Sequence, residues 1–94
     1  MEEHLITRTV DDVGNIRYRY QGKLHRLDGP AVIYKNGSKA WYQYGKRHRK
    51  DGPAVFAQGI SYEYWLRGQP LEPGSAAYII IQEKERRKHA QYKP

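Results

Sequence analysis

Gly22-Lys23-Leu24-His25-Arg26-Leu27-Asp28-Gly29-Pro30-Ala31-Val32 is written again, 23 residues later, as Gly45-Lys46-Arg47-His48-Arg49-Lys50-Asp51-Gly52-Pro53-Ala54-Val55. Nine of the eleven positions are identical. Self-similarity at a fixed period of this length is the signature of an array of supersecondary units. The register extends in both directions. Gly14, Gly37 and residue 60 share one phase, with Gly59 one place early, and Gly22, Gly45 and Gly68 share another. Tyr18, Trp41 and Tyr64 occupy one repeated position, and Arg19, Tyr42 and Trp65 the next. The chain divides into units of about 1–22, 23–45 and 46–68, a linker over 69–74 and a C-terminal helix over about 75–90, all within a single domain.

Each unit carries two strand signals around a turn. Thr7–Val10 is rich in β-branched residues, Asp11 to Asn15 is a turn, and Ile16-Arg17-Tyr18-Arg19-Tyr20 alternates, so that one face is expected buried and the other, with both Arg, wet. Asn36-Gly37 is a strong hairpin signal, and its residue types suit a type I′ turn with positive φ at both centres. Gln58-Gly59 marks the third turn. The expected fold is mainly β: an antiparallel meander of about six strands from three 23-residue hairpins. Equivalent residues then sit on second-neighbour strands of one face, about 9.6 Å apart at an interstrand spacing of about 4.8 Å. This makes Tyr18, Trp41 and Tyr64 a ladder, read first as the core-facing stripe.

Beyond Gly68, two Pro and a Gly in Gln69-Pro70-Leu71-Glu72-Pro73-Gly74 stop the array. Ser75 is an N-cap for a helix in which Ala77, Tyr78, Ile80 and Ile81 are expected to cover the sheet, with Glu83 and Arg87 paired at i,i+4. An open array needs such a cap against edge pairing.

Composition narrows the function. The 94 residues have a hydrophobic fraction of 38%, but nine Tyr and two Trp offer large surfaces with polar ends, so aromatics are expected to carry the core. A chain of this size buries only about 60–65% of its unfolded surface. Cys is absent, which excludes disulfides and thiolate metal sites and fits a reducing, cytoplasmic setting. Met1-Glu2-Glu3-His4 opens acidic and leads into no apolar run, so no signal peptide and no membrane span are expected. The net charge is +7, distributed as −1 over residues 1–22, +7 over 23–50, −2 over 51–82 and +3 over 83–94. A basic centre and a basic tail point to an acidic partner.

The repeated loop carries the densest chemistry. His25 with Asp28, and His48 with Asp51, are expected to lock the turn: Asp accepts hydrogen bonds, Gly takes a sterically special φ and Pro sets the strand start. Neither loop has a second His or a Cys at ligand spacing, nor a Ser or Thr nucleophile, so no catalytic residue, metal or cofactor is expected.

The 23-residue period, the aromatic residue before Tyr-x-x-Gly-Lys and the hairpin unit resemble MORN repeats, of the divergent variety whose loop is Gly-Lys-x-His-Arg-x-Asp-Gly-Pro-Ala. The resemblance covers about residues 14–68. It departs from ordinary MORN units where Arg-x-Asp-Gly-Pro replaces the second glycine of the loop. What it implies is a sheet scaffold that binds proteins, less often membranes, and no enzyme. By analogy with such repeats in bacteria and phages, it implies a small inhibitor of a host machine, of the antidefence or anti-CRISPR kind, acting in the bacterial cytoplasm.

Two binding surfaces follow from the residues. Tyr42, Tyr44, Arg47, Arg49 and Trp65 form the expected protein-binding set, since Tyr, Trp and Arg dominate interface energetics. The expected protein partner has an acidic surface or is a ribonucleoprotein; the alternative is nucleic acid, held by Lys23, Arg26, Lys46, Arg47, Arg49, Lys50, Arg86, Arg87 and Lys88 with Tyr faces between them. Association with anionic membranes ranks third, because the tail clusters its apolar residues at one end and its charges at the other. Exposed sheet edges admit a homodimer.

Overall fold

The computed structural model describes residues 5–59 and 61–90. The acidic opening at Met1–His4 and the repeat position at residue 60 lie outside them. Among the described residues the chain forms eleven short strands and one helix. Six of the strands are the expected meander, each antiparallel to the next: β1 (Thr7–Val10), β2 (Ile16–Tyr20), β4 (Val32–Ile33), β5 (Lys39–Ala40), β8 (Val55–Ala57) and β9 (Ser61–Glu63).

The turns of this meander repeat in atomic detail. Asp11 N–H donates to Asn15 O at 3.0 Å and Gly14 N–H to Asp11 O at 3.1 Å, while Tyr34 N–H donates to Ser38 O at 2.8 Å and Gly37 N–H to Tyr34 O at 2.9 Å. Each is a three-residue loop with positive φ at its glycine, 105° at Gly14 and 94° at Gly37. Asn36 does not share that conformation. The expected two-residue I′ turn at Asn36-Gly37 is therefore corrected to a three-residue loop ending in a left-handed glycine, the next commonest hairpin connection. Asp11 caps its loop by accepting from the N–H groups of Val13, Gly14 and Asn15, each at 3.0 Å. These hydrogen bonds, Asn15's first, together with the Arg17 guanidinium hold its carboxyl well below the usual carboxylate range.

The tight turns were not expected. The glycines of the second phase close a row of two-residue hairpins: β3 (Lys23–Leu24) pairs the end of β2 within the main sheet, while β6 (Tyr42–Gln43) with β7 (Lys46–Arg47) and β10 (Trp65–Leu66) with β11 (Gln69–Pro70) form two separate two-stranded sheets. Both residues of each turn have positive φ: Gln21-Gly22 at 50° and 79°, Tyr44-Gly45 at 50° and 82°, Arg67-Gly68 at 49° and 81°. These are type I′ turns. The chain leaves the main sheet at Trp41, whose N–H donates to Ala54 O at 2.7 Å, and enters the hairpin row one residue later. Neighbouring hairpins are stitched by Gly45 N–H to Leu24 O at 2.8 Å and Gly68 N–H to Arg47 O at 2.9 Å.

The linker expected over 69–74 begins two residues late, because Gln69–Pro70 completes the third tight hairpin. Leu71 N–H donates to Tyr64 O at 2.8 Å, as His25 N–H does to Tyr18 O and His48 N–H to Trp41 O, both at 3.0 Å. What fails in the third copy is the loop after the hairpin, where Leu71 and Glu72 stand in place of His and Arg.

Helix α1 (Ala76–Ala90) starts as expected, with Ser75 Oγ accepting from Tyr78 N–H at 3.3 Å. It packs its Tyr78 ring on Tyr64 at 4.7 Å between centroids, buries Ile81, and has Glu85 accepting from the Tyr64 hydroxyl at 3.2 Å. Burial and the nearby Glu85 charge push the Tyr64 phenol up. Ile80 does not join this face: it is 55% exposed, beside an equally open Ile79. The helix stripe that meets the sheet runs through Tyr78, Ile81, Gln82 and Glu85, the i, i+3, i+4, i+7 positions of one face.

Two further expectations need correction. The core is built mostly of small and aliphatic residues, with Ala31, Val32, Ala40, Ala54 and Ile81 buried beside His25 and His48, and Tyr64 is the one buried Tyr, Trp or Phe among the described residues. Tyr18 and Trp41 are half-buried, because each serves as a platform for a cation rather than as filling. Strand β2 is half-buried along its whole length instead of alternating, since Arg17 and Arg19 lie along the strand to reach Asp11 and Thr9.

Candidate functional site

The repeated loop is a pair of fasteners. Arg26 lies over the Tyr18 ring at 4.1 Å from its centroid, donates from Nε to Asp28 Oδ1 at 3.0 Å and from Nη1 to Pro30 O at 3.2 Å. Arg49 does the same one repeat on: 3.9 Å over Trp41, 3.0 Å to Asp51 and 3.1 Å to Pro53 O. A planar guanidinium satisfies a ring face, a carboxylate and a carbonyl together. Asp28 and Asp51 thus accept from Arg rather than from the turn's backbone.

The glycines beside them have no positive φ, contrary to expectation. They are glycines because Arg lies on them. A Cβ at Gly29 would sit 3.1 Å from Arg26 Cζ, and one at Gly52 only 2.6 Å from Arg49 Cζ. Asp51 also accepts from Lys88 Nζ at 3.1 Å, tying the end of α1 to the second loop. Burial raises its carboxyl, but the hydrogen bonds from Lys88 and Arg49 outweigh this and hold it below the usual range.

The histidines do a different job from the one expected of them. They bind forward to the next tight turn, the one that closes their own repeat, rather than to the Asp of their own loop. His25 is fully buried, and its Nδ1 accepts from Tyr44 N–H at 2.9 Å; His48 Nδ1 accepts from Arg67 N–H at 2.9 Å. Each therefore holds the left-handed first residue of the following type I′ turn. An acceptor at Nδ1 requires the neutral ring. Burial, helped by the charges of Lys50 and Arg67, pushes His48 below the ordinary histidine value of 6.5.

The sign of the resulting pH dependence is fixed. Below pH 6.5 the unfolded chain takes up a proton that the folded His48 refuses, so stability is full above that pH and falls as pH drops toward the lowered folded value. The melting temperature is expected to decline from pH 6.5 to 5, and less steeply in His48→Ala. Parallel declines in the two proteins would remove His48 as a cause.

Of the expected protein-binding set, three residues meet. The Arg47 guanidinium lies 4.9 Å from the Trp65 centroid and 6.0 Å from that of Tyr42, whose hydroxyl accepts from Arg47 Nε at 3.2 Å. Strand alternation places this row on one face of the tight hairpins and Leu66, against which α1 lies, on the other. The helix therefore leaves the Tyr42–Arg47–Trp65 face uncovered. Tyr44 stands apart, its ring 4.2 Å from that of His25, and Arg49 is held on Trp41.

No family model, curated protein or solved structure matches this chain.

The nucleic-acid set does not form one surface. Arg26 and Arg49 are held in the loops, Arg47 in the aromatic row, Arg86 on Glu83 and Lys88 on Asp51. Lys23 and Lys46 run along the turns at Gly45 and Gly68, and Arg87 is exposed on the helix. Arg26, Arg49, Lys50 and Lys88 do line one cleft, but together with Asp28 and Asp51; Lys50 also lines a second cleft beside two cations outside the expected set, Arg67 and Lys84. Arg67 is the repeat equivalent of Tyr44, which is the signal that marks it; Lys84 has no such signal, since only the docking of α1 brings it here. No group of three or more His, Cys, Asp or Glu side chains among the described residues is arranged to hold a metal ion, and no helix there is long and apolar enough to cross a membrane.

Proposed function

We propose that this chain is a non-enzymatic protein-binding module whose contact face is the Tyr42–Arg47–Trp65 row. The observation that supports it is an arginine lying over the half-buried Trp65 ring and hydrogen-bonded to the hydroxyl of half-buried Tyr42, on a hairpin face opposite the one against which the C-terminal helix lies. Such a cluster is preorganised, and Trp, Tyr and Arg are the residues that carry most interface energy. The net charge of +7 favours a partner with an acidic surface. The resemblance to divergent MORN-like repeats extends the reading to a small inhibitor that occupies the surface of a larger host machine, with phage antidefence and anti-CRISPR proteins as the analogy.

Affinity capture from a bacterial lysate, with and without nuclease, tests the class. A stoichiometric protein that survives nuclease is the expected result, whereas recovery of nucleic acid alone overturns it. With that partner purified, Trp65→Ala is expected to weaken the complex by at least about 30-fold, the loss of one strong hot spot. The circular-dichroism melt should be nearly unchanged. An equally large fall in stability would make Trp65 a structural residue instead.

A further inference from the structure

Two adjoining clefts, of about 360 and 230 Å³, share His48, Lys50 and Arg67 as their common wall. The first adds Lys46 and Tyr44, and the second adds Lys84 from α1. Four cations thus line the pair, and no carboxylate does. The cleft that holds Asp28 and Asp51 shares His48 and Lys50 with them but supplies its own counter-charges, as does the one beside Glu85. The second cleft is floored by Leu66, Ala77 and Ile81, with Ile80 at its rim, 55% exposed.

The backbone here is shaped at a conformational disadvantage. Arg67 adopts φ 49° at the first position of a type I′ turn, where Asn, Asp or Gly is the usual choice. The third repeat therefore keeps a cation at a position that local propensity disfavours.

We infer that these joined clefts bind an acidic peptide segment in which carboxylates flank one aliphatic or aromatic side chain. Resting on the protein-binding reading above, this names the chemistry of the partner at a second surface, on the helix side of the hairpin row. The apolar side chain enters between Leu66 and Ile80. Its flanking carboxylates meet Lys50 and Arg67 on one side and Lys84 on the other, with Lys46 extending the basic wall. A phosphate backbone would satisfy the cations but leave the aliphatic floor without a partner, which decides for the peptide.

The test uses the full chain and three fluorescent probes at two salt concentrations: a peptide of glutamates around one Leu, the same peptide with Ser for Leu, and an oligothymidylate of similar charge. The Leu peptide is expected to bind at least about tenfold more tightly than the Ser peptide, and more tightly than the oligonucleotide. Lys50→Glu with Lys84→Glu should reduce its affinity at least about tenfold. Lys35→Glu with Lys39→Glu, the same change of net charge on exposed residues elsewhere, should leave it within about twofold.

Arg67→Asn removes a cation while supplying a residue that tolerates the left-handed conformation, so weakened binding with an undiminished melting temperature supports the site. Equal affinity for the Leu and Ser peptides, equal loss from the two charge-reversed pairs, or tighter binding of the oligonucleotide overturns it. Trp65→Ala separates this inference from the reading it rests on. Peptide binding that persists in that variant, with the partner from the lysate lost, locates two surfaces; a captured partner indifferent to Lys50→Glu with Lys84→Glu rejects the cleft while leaving the aromatic row in place.

Discussion

His25→Ala is expected to destabilise the fold by about 3 kcal/mol, seen as a fall of about 15 °C in the melting temperature. Two losses combine. The ring is fully buried between Tyr20 and Tyr44, with centroid distances of 5.6 and 4.2 Å, so truncation opens a cavity. It also removes the acceptor 2.9 Å from Tyr44 N–H, at a turn residue already held at φ 50°. His25→Asn distinguishes these losses, because an Asn side-chain oxygen reaches about as far as Nδ1 and presents an acceptor. It should recover about a third to a half of the stability. Equal melting temperatures for the Ala and Asn variants would show that the ring acts by packing alone.

This residue shows where the sequence was legible and where it was not. The 23-residue offset, the six-strand meander and the Ser75 helix start all follow from local signals: repeated glycines, β-branched runs and an N-cap. A histidine whose partner lies 19 residues away, at the far end of its unit, leaves no such trace. Its own loop offers an Asp three residues on, which is the nearer and wrong candidate. The tight turns were hidden for a related reason. Gln21, Tyr44 and Arg67 have poor intrinsic preference for positive φ, and at Tyr44 and Arg67 a histidine 19 residues upstream fixes the backbone from outside the turn.

The candidate site was legible in part on the same grounds. Tyr42 and Trp65 share a repeat phase, and Arg47 joins them on the same face as the cross-strand partner of Tyr42. Tyr44 and Arg49 were grouped with them by residue type, but their rings and charges are taken up by His25 and Trp41. Lys84 joins Lys50 and Arg67 only through the docking of α1, which periodicity within the helix cannot reveal. The end of the array has its own physical reason. Tyr18 and Trp41 are covered by Arg26 and Arg49, whereas the residue in the matching place for Tyr64 is Glu72, a carboxylate that cannot stack as a cation. Tyr78 of the helix covers that ring instead.

Gly52→Ala is expected to lower stability by about 2 kcal/mol although it creates no backbone strain, and the size of that effect depends on one neighbour. The added methyl would meet Arg49 Cζ at 2.6 Å and its Nη1 at 2.8 Å. The guanidinium is the end of a flexible side chain and can move, so the clash itself is relieved. Moving it, however, takes Arg49 off Trp41 and away from Asp51 and Pro53 O, and those contacts together contribute about 2–3 kcal/mol. Asp51 is half exposed, which keeps its share small. At Gly29 the corresponding approach is 3.1 Å, and Gly29→Ala should lose less than about 1 kcal/mol. The decisive comparison is a double-mutant cycle. In an Arg49→Ala background the methyl at position 52 has nothing to displace, so Gly52→Ala should then be neutral within about 0.5 kcal/mol. Full additivity of the two substitutions would mean that Gly52 is required by something other than the arginine lying on it.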